Sequence, residues 1–314
     1  MHYKHTIYLH RVGAIGDTLL TIDLLMLLKD FYPKSKIIMG ATPKYATPLL
    51  DSGLISGVID ATSRPFHLFE TPFSKKDDLT KELKRYDTVI IFKRDINGII
   101  RKRLENIEIE NFAIESPFPP KESNVHVSKW LERVSKQLKH NKKKQTGQIK
   151  LSISKNTSIL SARVIKKIKL NCPFLAIHPG SGSKNKCAPI NTIIKIAKKI
   201  VSSHNLQLAL IEGIADESIC NEFRKSWDTH IINIKVNSLE ILAGILLQAK
   251  GFLGCDSGIS HLSSLYGVPT LVLFGPYSNP LQWGPIGTRS QWTYWDNEKK
   301  CKEILNELMG NEDN

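Results

Sequence analysis

Short apolar runs alternate with helix-length amphipathic stretches along most of the chain. Thr6–His10 predicts a buried first strand. A glycine turn follows at 13–16, then Asp17 and an apolar helix pattern to about Asp30, stopped by Tyr32-Pro33. Lys36–Met39 predicts the next strand, Thr42–Leu50 a short helix, Val58–Asp60 a strand end and Thr88–Phe92 a further strand. Segment 136–169 changes character. It is polar and basic, with an exposed loop expected at His140–Gly147 and a helix over Ser161–Leu170. The rhythm then restarts with strands at Phe174–His178, Leu206–Ile211, Gly251–Gly254 and Thr270–Phe274. Helices are expected at Pro189–Ser202, Ser238–Gln248, Ser260–Tyr266 and Asp296–Met309. This alternation implies two mostly parallel sheets with helices on both faces.

The length of 314 residues suits two domains of about 150 residues each. The domain reading is 1–160 and 161–314. The closing helix is assigned to the second domain, with packing back onto the first as the alternative. Ligands of open parallel sheets bind beyond the carboxyl ends of the strands. Two such sheets facing each other therefore place a site in the cleft between them.

Charge sharpens the picture. Lys and Arg number 44 against 30 Asp and Glu, a net charge of +14. Eleven of the basic residues fall within 136–169, which holds no acid, so a basic patch is expected there. Phospholipid headgroups, phosphorylated glycans or nucleic acid would suit it, as would a plain solubilising role. The five cysteines are odd in number, widely spaced and without a C-x-x-C pair, which disfavours a disulfide framework or structural zinc. The longest apolar runs are too short to span a bilayer, and the first residues lack a signal peptide's apolar region. A cytoplasmic location is expected.

Three strand-end loops carry the candidate chemistry. Gly13-Ala14-Ile15-Gly16-Asp17 is G-x-x-G rather than G-x-G-x-x-G, which disfavours a dinucleotide enzyme. Asp17 is either a helix cap or a general base for an incoming hydroxyl. The second loop, His178 to Lys186, carries Gly180 and Ser181 as phosphate-facing groups and Lys184 and Lys186 as cations, without Walker A spacing. His178 reads as a loop-shaping residue. In the third loop Asp256 suits sugar hydroxyls, and the N–H groups of Ser257, Gly258 and Ile259 suit a phosphate. His261 follows in the first helical turn. The Asp256, Ser257, His261 order does not build a hydrolase triad. Glu212 ends a strand, where a carboxylate accepts from a nucleoside or meets solvent. Trp283, Trp292, Tyr294 and Trp295 would stack on a substrate or pack in the core.

Taken together, these loops resemble the ADP-heptose:lipopolysaccharide heptosyltransferases, glycosyltransferase family 9. The resemblance rests on Gly13 to Thr21, on His178-Pro179-Gly180-Ser181 with Lys186 and Pro189, and on Asp256-Ser257-Gly258 with His261. Gly267-Val268-Pro269-Thr270 and Leu273-Phe274-Gly275-Pro276 add to it. It implies a GT-B fold, two Rossmann-like α/β domains facing across a cleft, with the acceptor on the first domain and the nucleotide-sugar on the second. It implies inverting transfer of heptose from ADP-heptose, with no metal and no other cofactor. By position Asp17 resembles the family's base and Lys186 the cation on the departing diphosphate, assisted by Ser181. Glu212 resembles the nucleoside acid. Asp256 would bind donor-sugar hydroxyls, the N–H groups after it the diphosphate, and His261 the same site.

The partners so implied are a nucleotide-sugar donor and an anionic lipid-linked glycan acceptor at the inner face of the inner membrane. A basic patch fits peripheral attachment there. A monomer is the default. The alternatives are another ADP-sugar transferase, a non-hydrolysing sugar-nucleotide epimerase, an inactive scaffold, and a nucleic-acid-binding protein using 136–169. The last is disfavoured because that segment lacks interleaved aromatics and any zinc or RNA-binding motif.

Overall fold

The computed structural model describes residues 5–310 apart from 64, 72, 75, 76, 140–149 and 214. The chain divides into two compact units, Met1–Gly147 and Gln148–Asn314.

The first unit holds five strands: β1 (His5–His10), β2 (Ser35–Ala41), β3 (Gly57–Asp60), β4 (Thr88–Phe92) and β5 (Asn111–Glu115). They form one parallel sheet in the order β3-β2-β1-β4-β5. The order reverses between β1 and β4, which is where such a sheet opens a crevice for ligand. The loop bearing Asp17 leaves β1 at that point. Tyr8, Phe66, Phe69, Leu79, Val89, Ile91 and Leu104 belong to one buried cluster beside the sheet. The long helix expected after Gly16 is two helices, Ile15–Leu19 and Ile22–Phe31. Thr18 and Thr21 turn their hydroxyls back onto the carbonyls of Ala14 and Thr18, at 3.0 and 2.6 Å. Such back-bonding competes with the helical ladder and bends it.

A buried cation stitches this unit together. Arg103 is fully buried and donates to Asp77 Oδ2 at 2.5 Å, and to the Leu68 and Thr71 carbonyls at 2.9 and 3.1 Å. Asp77 also caps the helix Asp78–Leu83 by accepting from the Thr80 N–H at 2.7 Å. Burial pushes the Asp77 carboxyl up, but the Arg103 and Thr80 hydrogen bonds and the guanidinium charge outweigh it, and the net shift is down. A carboxyl lowered on folding adds stability above its unfolded pKa, and that stability is lost as pH falls through the folded value. Replacing Arg103 by Met is expected to remove about 3 kcal/mol. Calorimetry should find the melting temperature lower by roughly 10 °C at pH 7, and by less at acidic pH.

The second unit holds β6 (Phe174–His178), β7 (Gln207–Ile211), β8 (Ile231–Ile234), β9 (Gly251–Cys255), β10 (Thr270–Phe274) and β11 (Ser290–Tyr294). All pairs are parallel, in the order β11-β10-β9-β6-β7-β8. The reversal here lies between β6 and β9, the strands that carry the second and third glycine loops. One buried cluster draws on the helix Ile190–Ser203, the central strands and the closing helix Glu298–Gly310, through Cys301, Ile304, Leu305, Leu308 and Met309. The closing helix thus packs within the second unit.

The helix expected at Ser161–Leu170 begins earlier, at Lys155, because Ser154 caps it by accepting from the Thr157 N–H at 3.1 Å. This helix packs on Leu239–Leu246, and Leu151 N–H bonds the Leu265 carbonyl at 2.8 Å. The division between units therefore falls at 147/148 rather than at 160/161. The loop expected at His140–Gly147 lies outside the described residues.

Candidate active site

In the second unit, the loops that leave β6 and β9 are joined by direct bonds. Ser181 Oγ donates to the Asp256 carbonyl at 2.5 Å. Lys186 Nζ donates to Asp256 Oδ2 at 2.8 Å, and Ser278 Oγ reaches the same oxygen at 2.5 Å. The Lys186 ammonium also lies 5.7 Å from the centre of the Trp283 ring. Its side chain remains about a third exposed, whereas that of Asp256 is 5% exposed. A half-open cation is thus held in place by a buried carboxylate. Ser257 caps the helix Gly258–Leu265, accepting from the Ser260 N–H at 3.3 Å. The first N–H groups of that helix lack intrahelical partners, as at any helix start, and suit an anion.

The buried Cys255 links the same two loops: Ala188 N–H approaches its Sγ at 3.1 Å, and the sulfur lies 3.5 Å from the Pro179 carbonyl. Burial pushes its thiol up to about 12, which makes it a packing group rather than a nucleophile.

Glu212 stands past the end of β7, one strand away. It is buried and ion-paired to both Arg224 and Lys235. Its Oε2 faces Arg224 and its Oε1 faces Lys235.

In the first unit, Asp17 is the third residue of its short helix. Its Oδ2 accepts from the Ala14 N–H at 2.9 Å, and its Oδ1 lies 3.4 Å from Nη2 of the fully buried Arg11. The side chain is 16% exposed. Asp17 therefore does act as a cap, and it also keeps a second oxygen beside a cation. A Cβ at Gly13 would overlap the Asp17 carboxylate, so that residue must be small. Burial lowers the Arg11 pKa and the charge of Asp17 opposes that shift. His10, next to Arg11, is buried, and burial followed by the charge of Lys93 pushes its imidazole down to about 3. It stays neutral.

The sequence pattern of Glycosyltransferase family 9 (heptosyltransferase) matches residues 110–310, more than half of the chain. The chain belongs to this family. It is 23% identical over 290 residues to lipooligosaccharide heptosyltransferase 2 of Campylobacter jejuni serotype O:2, covering 86% of this chain and 81% of that protein. In structure it resembles a family 9 glycosyltransferase from Veillonella parvula, with a TM-score of 0.77 at 18% identity, covering 99% of each chain. It also resembles E. coli ADP-heptose lps heptosyltransferase II, with a TM-score of 0.73 at 17% identity, covering 97% of this chain and 98% of that one. These likenesses are of fold, and they identify the GT-B class with its two Rossmann-like domains, as the sequence led us to expect.

As a family 9 glycosyltransferase, the chain brings together Ser181, Lys186, Asp256 and the capped turn of Ser257, Gly258 and Ile259. Gly180 sits in the same loop against Asp216, whose carboxylate a Cβ there would overlap. His261 is the fourth residue of its helix and is buried. Glu212 makes no bond to the Lys186–Asp256 pair among the described residues. Asp17 belongs to the other unit. Sequence reasoning missed Arg11, Asp216, Arg224, Lys235 and Ser278. Only Arg11 gave a signal, a charge set directly after a buried strand. Of the four aromatics, Trp283 supports Lys186, while Trp292 and Tyr294 lie on β11, with Trp292 edge-on to Phe274.

Proposed function

We propose that this family 9 glycosyltransferase moves heptose from ADP-heptose to an anionic lipopolysaccharide core acceptor, with inversion and without a metal. The observation that carries the reading is the Lys186–Asp256 pair, set where the second sheet reverses its order and beside the free N–H groups of a capped helix. The first unit would hold the acceptor and the second the donor. Asp17 accepts the proton of the acceptor hydroxyl as its oxygen attacks the anomeric carbon. The bond to the ADP oxygen breaks, and Lys186, Ser181 and the N–H groups of Gly258 and Ile259 face the charge that gathers on the diphosphate. These groups bind the departing charge more strongly than the intact donor, which is what lowers a barrier. Asp256 and His261 serve the donor sugar side, and Glu212 the ribose hydroxyls.

Among the described residues no group of three or more His, Cys, Asp or Glu could hold a metal ion. Lys186 would supply the positive charge that a metal supplies elsewhere. Also among the described residues, no helix is long and apolar enough to cross a membrane. The exposed Lys155, Arg163, Lys166 and Lys167 on one helix support peripheral contact with anionic lipid at the inner face of the inner membrane.

The test is transfer followed by mass spectrometry. The purified chain meets ADP-heptose, other ADP-sugars, UDP-sugars and GDP-sugars, with lipid A–Kdo fragments as acceptors and EDTA present. A product heavier by one heptose, with ADP released, is expected. Transfer of another sugar would remove the heptose assignment, and a rate that collapses in EDTA would remove metal independence.

A further inference from the structure

Three loops of the second unit meet on one buried imidazole. His178 ends β6, and its Nε2 lies 3.0 Å from Asp216 Oδ2. Its Nδ1 lies 3.2 Å from Oγ of Ser257, just past β9. The same Asp216 oxygen accepts from the Gly213 N–H at 3.0 Å, beyond the end of β7. His178 and Ser257 are 3% and 8% exposed.

The proton arrangement follows from the partners. An ionised carboxylate only accepts, so Nε2 carries the hydrogen given to Asp216. Burial pushes the Asp216 carboxyl up, but the hydrogen bonds from His178 and the Gly213 N–H act against it and the net shift is down, which favours the ionised form. With the single ring hydrogen on Nε2, Nδ1 is an acceptor to which the Ser257 hydroxyl can donate. The lone pairs of Ser257 Oγ remain for the Ser260 N–H, the bond that caps the helix Gly258–Leu265. Ser257 Oγ also lies 3.2 Å from Ser260 Oγ, whose own hydroxyl donates to the Cys255 carbonyl at 2.6 Å. On the other side, Asp216 packs so closely under Gly180 that a Cβ would overlap it. One relay therefore fixes the loop carrying Ser181 and Lys186 and the turn carrying Gly258 and Ile259.

We propose that Asp216 and His178 are positioning residues for the donor diphosphate, acting through Ser257. The inference rests on the donor-site reading above and extends it. Serine, histidine and aspartate here are not a nucleophilic triad. The hydroxyl is engaged as a helix cap, and it sits on Nδ1 rather than on the nitrogen opposite the carboxylate's usual partner.

The experiment measures ADP binding to the full chain by titration calorimetry, alongside the melting temperature of each variant. His178→Ala and Ser257→Ala are each expected to weaken ADP about tenfold. The double variant should be no weaker than either single one, because both remove the same link. His178→Asn, whose Oδ1 can accept from Ser257 near the place of Nδ1, should recover most of the affinity. A residue that merely fills space would give losses in melting temperature without this pattern in ADP affinity. Additive losses, or unchanged affinity in folded variants, would overturn the relay alone. A wild-type chain that ignores ADP would overturn the donor reading and the relay with it.

Discussion

Replacing Asp17 by asparagine is expected to lower the turnover of glycosyl transfer by about a thousandfold, within the range a positioned general base supplies. The choice of asparagine matters. Oδ2 of Asp17 accepts from the Ala14 N–H, and an asparagine oxygen can do the same. The short helix Ile15–Leu19 therefore keeps its first-turn contact, worth about 1 kcal/mol, but the melting temperature should still fall by several degrees, because the buried Arg11 loses its counter-charge. What is lost is the ability to take a proton. ADP affinity should be unchanged, because the donor groups lie in the other unit. Asp17→Ala should lose the same turnover and more stability, because the bond to the Ala14 N–H goes too. Turnover of the asparagine variant within tenfold of the wild type would show that Asp17 is a cap and that the base is elsewhere.

Arg11 gives this prediction its physical footing. The guanidinium is fully buried, and its Nε and Nη1 make no hydrogen bond among the described residues. A buried cation without enough acceptors is costly unless a counter-charge stands near. Asp17 Oδ1, at 3.4 Å, is that counter-charge. The Phe118 ring, 4.8 Å from the guanidinium carbon, adds a cation–π contact. The carboxylate is thus held by the Ala14 N–H and the Arg11 guanidinium and keeps part of its surface exposed.

Legibility followed burial. β4, β6, β9 and β10 are buried at every position, and their continuous apolar sequences announce them. β5, β8 and β11 lie at the sheet edges, with sequences NFAIE, IINI and SQWTY. Each exposes part of its length, so polar residues break the run and the period of two is too short to register. The helices Glu217–Ser226 and Ile99–Asn106 were missed for a related reason: charges dominate them and only a few positions face inward.

The site divides along the same line. Glycine loops at the ends of buried strands are visible as local sequence, so Asp17, Lys186 and Asp256 could be named in advance. Partners that arrive from elsewhere in the chain could not. Asp216 meets His178 across 38 positions, Ser278 meets Asp256 across 22, and Arg224 meets Glu212 across 12. No local pattern encodes those distances; the topology of the sheet does. His178 is the instructive case. Its position reads as loop-shaping, and its ring bonds to Asp216 and Ser257, which follow two other strands of the second unit.

Lys186→Met is expected to lower turnover by 10²- to 10³-fold, the range seen when one group stabilising developing charge is removed. Methionine keeps an apolar stem to lie against Trp283 and removes only the cation. The loss should fall on kcat more than on the donor KM, because the diphosphate gains charge only as the sugar bond breaks. Stability must be separated from chemistry, since the variant leaves the buried Asp256 carboxylate without its ammonium partner. Ser278 still donates to it, which limits the cost. A second change, Asp256→Asn, removes that unpaired charge. The double variant should therefore recover melting temperature without recovering turnover. Turnover that returns together with stability would mean that Lys186 serves the fold, and that the diphosphate is met by the helix N–H groups alone.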